Sequence, residues 1–254
     1  MLAEALAWLL TPAPATARRF GHLAESIAIA ARHRRCRAAW APHLAASRQA
    51  LLESARTAPG QRIALVLGSG HLLDVPLAEL AGSFESVWLV DLVHPWSSRL
   101  AARRYANVRL IALDVTECLD RLPDEPPLPA RFLDEPGIDW VASVNLLSQL
   151  AGLPQHWLRR NRPGLDEAAI HRYGEALMAR HLEWLARFRA PVCLLTDIGQ
   201  TRLDARGEIV EWHDYRPLLA GWQVSAEWRW DLAPPGELTD GQTAFHRVAA
   251  LTRR

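Results

Sequence analysis

The chain has 254 residues, half of them hydrophobic, and its 29 basic and 28 acidic side chains leave a formal net charge of +1. That length and apolar content predict one large domain with a substantial core, with or without an appended segment, and argue against disorder. The near-neutral charge argues against binding nucleic acid through its phosphates, which requires a basic surplus. The three cysteines lie far apart and give neither a metal-ligand spacing nor a disulfide framework, so we expect a cytoplasmic protein without a metal site.

The N-terminal part, residues 1–58, is predicted to be helical. Its apolar start, MLAEALAWLL, contains Glu4 and lacks the positive first residues of a signal peptide, and no apolar run approaches the roughly 18 residues of a membrane span. Residues 16–57 predict two or three helices, with Pro42 near a helix start. Two interpretations stay open: a helical cover that packs on the sheet or in a homodimer contact, and a lid over the substrate. The side chains that would reach inward from a lid are Arg34, Arg37, Trp40 and His43.

Beyond residue 58, short apolar runs alternate with helical patterns. Five strands are predicted, at 62–68, 86–92, 108–115, 138–146 and 191–199, with helices between them at 74–82, 96–106 and 166–189. The first four strands are apolar almost throughout, as expected for strands covered on both faces. This alternation predicts an α/β fold with a doubly wound, mostly parallel sheet. Two segments of alternating polarity, 224–232 and 243–251, predict a C-terminal antiparallel strand pair at the sheet edge.

Two glycines, Gly68 and Gly70, follow the first predicted strand. Ligands of doubly wound sheets bind beyond the carboxyl ends of the strands, where the strand order reverses, and glycines there let a ligand approach the main chain. Asp91 ends the second strand, where a carboxylate can accept hydrogen bonds from ribose hydroxyls. Asp114 ends the third, where its carboxylate and the backbone of Val115 can meet the amine and ring of adenine. Together these features predict a nucleoside site.

Residues 63–200 resemble the core of the class I (Rossmann-like) S-adenosylmethionine-dependent methyltransferases. VLGSGHLLD is similar to that family's glycine-rich first motif, Asp91 to its ribose-binding acid, and ALDV to its adenine-contacting third motif. The likeness extends to the C-terminal strand pair, so that residues 59–254 would form the S-adenosylmethionine-binding domain, and it implies a seven-stranded sheet with the last strand inserted antiparallel. It implies S-adenosyl-L-methionine as cofactor, with Asn145 beside the sulfonium. The cofactor-binding residues it implies are Gly68, Ser69, Gly70, Asp91, Leu92, Asp114, Val115 and Asn145.

A nicotinamide-linked Rossmann oxidoreductase is the nearest rival. Its G-x-G-x-x-G/A fingerprint needs a small third residue, and Leu73 stands there, which counts against a pyrophosphate at this helix. Two alternatives that keep the nucleoside site stay open: an aminopropyl transferase of the nicotianamine-synthase type, whose glycine-rich segment is similar to LGSGHLLDVPL, and a non-catalytic nucleoside-binding protein. The leading prediction is a methyltransferase that acts on an unidentified small molecule or protein side chain, with no membrane partner.

Methyl transfer from a sulfonium is an in-line displacement that depends mainly on positioning. A base is needed only where the nucleophile must lose a proton, so no residue type by itself identifies the catalytic group. The candidates for substrate contact are the polar residues at the ends of the later strands and on the helix after the fourth strand: Asn145, Ser148, Gln149, His171, Tyr173, Asp197 and His246.

Overall fold

The computed structural model describes residues 2–122 and 125–253. The first residue of the predicted segment 1–58 and the last of 59–254 lie outside the described residues, as do residues 123–124. Eight strands of the described part form one sheet: β1 (Ile63–Leu67), β2 (Ser86–Asp91), β3 (Val108–Ala112), β4 (Ile138–Val144), β5 (Val192–Leu203), β6 (Ile209–Asp214), β7 (Gln223–Ala233) and β8 (Thr243–Arg253).

The strand order is β3-β2-β1-β4-β5-β8-β7, with β6 paired to β5 outside this path. Strands β1 to β5 run parallel, β8 is antiparallel to β5, and β7 is antiparallel to β8. The order reverses at β1, which lies between β2 and β4, and this reversal leaves a crevice at the carboxyl ends of the strands. The fold is Rossmann-like. The predicted fold class is confirmed, including the antiparallel insertion of the last strand.

Eight α-helices surround the sheet in the described residues: α1 (Leu2–Leu10), α2 (Ala15–Arg19), α3 (His22–Arg35), α4 (Arg37–Ala55), α5 (Leu77–Ser83), α6 (Trp96–Ala102), α7 (Gly152–Asn161) and α8 (Glu167–Leu185). Within residues 2–122 and 125–253, none of them is long and apolar enough to cross a membrane. Pro42 lies inside α4 rather than near its start, so α4 lacks one backbone donor there.

The side chains of β1 point alternately to two apolar cores. Leu65 and Leu67 pack in the core that α7 and α8 cover, whereas Ala64 and Val66 pack in the opposite core, under α4 and α5. Burial on both faces explains why β1 and β4 are apolar along almost their whole length.

One strand was not predicted. All seven predicted strands are present, and β6 is an eighth that pairs antiparallel with the outer part of β5. Every residue of β6 is exposed. Because β6 buries neither face, its sequence carries no pattern of buried positions from which a strand is recognised.

Candidate functional site

A cavity of about 490 Å³ opens at the carboxyl edge of the parallel strands. This volume falls in the range of small-molecule and cofactor sites, roughly 300–1,000 Å³. The loops after β1 to β4 contribute to its lining, together with α3 and residues of β5, β7 and β8. All eight residues that the resemblance implied line this one cavity: Gly68, Ser69, Gly70, Asp91, Leu92, Asp114, Val115 and Asn145.

The loop after β1 turns at Gly68, whose φ of +75° is in the left-handed region that favours glycine. A Cβ at this position would lie 2.6 Å from the backbone oxygen of Val144, at the end of β4. The amides of Gly68 and Ser69 both donate to the carbonyl of Val90, at 2.9 and 3.2 Å. Gly68 therefore lets the loop pack directly against the ends of β2 and β4, a requirement of the fold itself.

Asp91 fixes the rest of this loop. Its Oδ2 accepts a hydrogen bond from the amide of Gly70 at 2.8 Å, and its Oδ1 accepts one from the amide of Val93 at 3.1 Å. Each carboxylate oxygen can accept two hydrogen bonds, so each retains one acceptor position. Because Asp91 also lines the cavity, it can hold a ligand that carries two neighbouring hydroxyls.

Asp114 has a different local role. Its Oδ1 accepts from the amide and the hydroxyl of Thr116, at 2.9 and 2.6 Å, and its Oδ2 accepts from the amides of Cys118 and Leu119, at 3.0 and 2.9 Å. All four acceptor positions are thus used by the turn that follows β3. A hydrogen bond between Asp114 and adenine stays a prediction, and Val115 also lines the cavity.

Asn145 follows β4 with a φ of +47°. Its side-chain Nδ2 donates to Asp74 Oδ2 at 2.7 Å. Its Oδ1 is buried and has no hydrogen-bond partner among the described residues. Burial raises the pKa of Asp74 to about 6, although the hydrogen bond from Asn145 acts in the opposite direction. Asn145 thus holds the Asp74 carboxylate at the cavity wall, where its negative charge would favour a cationic group.

The N-terminal helices contribute one wall of the cavity. Trp40 of α4 lines it and also packs in the core under α4, so the lid and the cover both stay predictions. Arg34 and Arg37 are exposed and are not among the lining residues. His43 is buried behind the wall, where its ring stacks on Trp230 with centroids 4.1 Å apart. The residues of α3 that line the cavity are His22, Glu25, Ser26, Ile29 and Arg32.

The last strands bring a polar cluster to the cavity through a β-bulge. Asp197 on β5 pairs with Val248 on β8, and Gln200 pairs with His246, with a register shift between them. Residues three apart on a regular strand point to opposite faces, so the bulge turns Asp197 and Gln200 to the face that carries His246. Trp230 on β7 pairs with His246 on that same face.

Two predicted candidates lie away from the cavity. His171 is exposed on α8, with Nε2 4.0 Å from Glu167. Tyr173 is buried in the core, with its hydroxyl 3.9 Å from Cys118 Sγ. Helix α8 packs its apolar side against the sheet and exposes the other, so neither side chain reaches the cavity. The candidates that do line it are Asn145, Ser148, Gln149, Asp197 and His246.

Several lining residues were missed. Asp74 is the last residue of the glycine-rich segment VLGSGHLLD. An acidic residue so close to the first strand could have indicated a ligand contact. Gln200 and Trp230 reach the cavity through strand pairing that is set far along the chain. The lining residues of α3 follow no local motif, because only the packing of the helix on the sheet edge places them there.

The side chains that line the cavity are mainly acidic among those that carry a charge. Its lining includes five carboxylates, Glu25, Asp74, Asp91, Asp114 and Asp197. Among the described residues, one arginine, Arg32, lines the cavity. Its Nε lies 3.3 Å from Glu237 Oε1, so it is already paired with a carboxylate. No group of three or more side chains suited to a metal ion occurs in residues 2–122 and 125–253. The site therefore suits an uncharged or cationic ligand better than an anionic one.

No family model matches the chain. No curated protein matches it either. Its structure is similar to a 1,6-didemethyltoxoflavin-N1-methyltransferase from Burkholderia thailandensis with bound 1,6-didemethyltoxoflavin and S-adenosylhomocysteine, at 19% identity and a TM-score of 0.40, over 82% of this chain and 79% of the other.

Two further solved structures show a similar degree of likeness. The N-methyltransferase NodS from Bradyrhizobium japonicum WM9, in complex with S-adenosyl-L-homocysteine, has 11% identity and a TM-score of 0.39, over 80% of this chain and 84% of the other. The magnesium protoporphyrin IX methyltransferase from Synechocystis PCC 6803, with bound S-adenosylmethionine, has 12% identity and a TM-score of 0.41, over 84% and 80%. At these scores the likenesses carry no assignment of activity.

Proposed function

We propose that the protein is an S-adenosylmethionine-dependent methyltransferase that acts on a small molecule. The observation that carries the proposal is the contact between the β1 loop and Asp91. The Gly70 amide donates to Oδ2 and the Val93 amide donates to Oδ1, so each oxygen keeps one acceptor position for a ligand. This contact lies at the strand-order reversal, where doubly wound sheets bind their ligands.

The charge of the cavity supports this cofactor over a dinucleotide. S-adenosylmethionine carries a sulfonium, an ammonium and one carboxylate, and its single net positive charge suits an acidic lining. The pyrophosphate of a nicotinamide dinucleotide would instead meet five carboxylates, with Arg32 already paired to Glu237. Opposite charges attract strongly in a partly desolvated site, and like charges repel there.

The residues present fit the cofactor. Asp91 would hold the ribose hydroxyls, Val115 would contact adenine, and Asp74, held in place by Asn145, would face the ammonium of the amino-acid part. When bound, S-adenosylmethionine supplies a methyl group that the positive sulfur makes electrophilic. The chain's own contribution is to hold that group in line with an acceptor and to exclude water from between them.

Replacing Asp91 by alanine is expected to weaken binding of S-adenosylhomocysteine more than tenfold, on the order of 1.5–3 kcal/mol, because hydrogen bonds to a charged acceptor are lost. Isothermal titration calorimetry measures this directly. Glu25→Ala is the matched control, since it removes one exposed carboxylate of the same cavity without removing a loop contact, and its affinity should change less than threefold. Asp91→Asn, which preserves the shape of the side chain, guards against a general loss of folding. Equal affinities of Asp91→Ala and the wild type would remove the ribose assignment.

The nucleoside product formed from S-adenosylmethionine by the wild-type protein distinguishes the alternatives. S-adenosylhomocysteine as the nucleoside product supports methyl transfer, and methylthioadenosine supports aminopropyl transfer. Binding without turnover supports a non-catalytic role.

A cytoplasmic location is also part of the proposal, because Cys36, Cys118 and Cys193 are all buried free thiols, as is usual in a reducing compartment. The homodimer stays a prediction.

A further inference from the structure

The part of the cavity formed by β5, β7 and β8 holds a histidine–aspartate pair that none of the proposed direct contacts to the cofactor uses. His246 Nδ1 lies 3.1 Å from Asp197 Oδ1, and both side chains are largely shielded, with 12% and 7% exposed. Burial acts to raise the pKa of Asp197, but hydrogen bonds from His246, Gln200 and Ser148 outweigh it and lower that pKa. A buried carboxylate thus stays ionised beside the imidazole.

The partners of Asp197 determine which nitrogen of His246 carries the proton. Asp197 Oδ2 accepts from Ser148 Oγ at 2.8 Å and from Gln200 Nε2 at 2.9 Å. Asp197 Oδ1 and His246 Nδ1 are buried and have no hydrogen-bond partner elsewhere in the described part of the chain, so at 3.1 Å each is the other's nearest available partner, although the ring is not aligned for an ideal hydrogen bond. An ionised carboxylate only accepts, so its approach to Nδ1 favours the neutral tautomer with the proton on Nδ1 and with Nε2 bare.

The surroundings of His246 indicate what kind of molecule it would meet. Trp230 packs edge-on against the His246 ring, with centroids 5.6 Å apart, and Trp40 packs edge-on against Trp230 at 5.0 Å. Ile29 and Leu232 line the same cavity. Aromatic and aliphatic neighbours of this kind favour an apolar aromatic acceptor, and Arg32 is already paired with a carboxylate.

Given the proposed methyltransferase function, on which this inference rests, we propose that His246 is the general base for transfer to a planar, uncharged acceptor whose nucleophilic oxygen or nitrogen carries a dissociable proton, and that Asp197 is its positioning residue. His246 Nε2 takes this proton while the nucleophile's electron pair forms the bond to the methyl carbon. The electron pair of the broken carbon–sulfur bond stays on sulfur. The imidazolium, stabilised by Asp197, then releases the proton to water.

Asp197→Asn should reverse the tautomer. Ser148 and Gln200 both donate toward the position of Oδ2, so the carbonyl oxygen of the new amide would face them. Its NH2 group would then face His246 Nδ1 and donate to it. The ring would carry its proton on Nε2, which converts the base into a donor. A catalytic histidine with the wrong tautomer loses on the order of 10⁴-fold in rate in a serine protease.

The first test needs neither cofactor nor substrate. Long-range ¹H–¹⁵N correlation spectra of the labelled full chain at pH 8 identify the tautomer, and His246→Gln assigns the signal. The expected result is Nδ1–H with bare Nε2 in the wild type and the reverse in Asp197→Asn. Asp231→Asn, which removes a surface carboxylate paired with Arg229 on the neighbouring strand, should leave the wild-type pattern. Nε2–H in the wild type, or no difference between the wild type and Asp197→Asn, would overturn the proposal.

The second test measures transfer of a tritiated methyl group from S-adenosylmethionine to 2-naphthol and to 2-naphthylamine, which differ only in the nucleophilic atom. Labelling of either probe should fall at least about 100-fold at pH 7 in His246→Gln and Asp197→Asn, with the affinity for S-adenosylhomocysteine unchanged. Variants as active as the wild type, or labelling of neither probe by a wild type that binds the cofactor, would contradict the inference. Failure of the wild type to bind the cofactor would instead contradict the proposed function.

Discussion

Alanine in place of Trp140 is expected to lower the free energy of unfolding by about 3–5 kcal/mol, the usual cost of truncating a buried tryptophan. Trp140 lies on β4 with no exposed surface, and its ring stacks near Phe84 with centroids 6.2 Å apart. Its Nε1 also donates to Ser54 Oγ at 3.0 Å. The substitution would therefore leave a cavity between the sheet and α4 and remove the partner of a largely buried hydroxyl.

Denaturant unfolding of the wild type and Trp140→Ala measures this loss. Trp212→Ala is the matched control, because Trp212 lies on β6 with 60% of its surface exposed, and its removal should change stability by less than about 0.5 kcal/mol. Trp140→Phe is a milder variant in case the alanine variant does not fold. A loss below about 1 kcal/mol in Trp140→Ala would show that β4 is not held by this contact.

Lowering the pH is expected to destabilise the fold, and the titration of His181 is expected to contribute to that loss. This side chain is buried on α8, where its Nε2 is 2.9 Å from Ser143 Oγ, and burial lowers its pKa to about 3. In the unfolded chain a histidine has a pKa of about 6.5. Between these two values the unfolded chain binds a proton that the native state does not bind. The free energy of unfolding therefore decreases as the pH falls below about 6.5, and the decrease ends near pH 3.

Between pH 7 and pH 4.5 the contribution of His181 to this decrease is about 2–3 kcal/mol. His181→Gln keeps a polar partner for Ser143 without a titrating ring, so it should lose that much less stability than the wild type over this range. His171→Gln, an exposed residue of the same helix, should behave like the wild type. Denaturant unfolding at several pH values provides the comparison. Equal losses in the wild type and His181→Gln would contradict the assignment of a buried neutral imidazole.

Much of the sheet was predictable because strands that are buried on both faces have apolar residues at almost every position. β1 and β4 are apolar almost throughout, and the C-terminal strands β7 and β8 were recognised by their alternation. β6 escaped prediction for the opposite reason, since it contributes no buried side chain. Pro42 was expected at a helix start from local preference alone, but α4 extends on both sides of it.

In the candidate site, too, some residues were predictable from the sequence and others were not. The β1 loop, Asp91 and the backbone of Val115 were predictable as neighbours because parallel strands end at one edge of the sheet. The arrangement of Asp197 and His246 was not, because a bulge in β5 and the antiparallel register with β8 decide which side chains share a face. The contribution of α3 depends on how a helix that precedes the sheet packs on its edge, which no local pattern encodes.

A crystal structure of the full chain with S-adenosylhomocysteine would test the adenosyl site most directly. We expect the ribose hydroxyls within hydrogen-bonding distance of the Asp91 carboxylate, adenine beside the backbone of Val115, and the sulfur near Asn145. An adenosyl group bound elsewhere, or Asp91 without contact to the ribose in an occupied cavity, would contradict the proposed site and the function built on it.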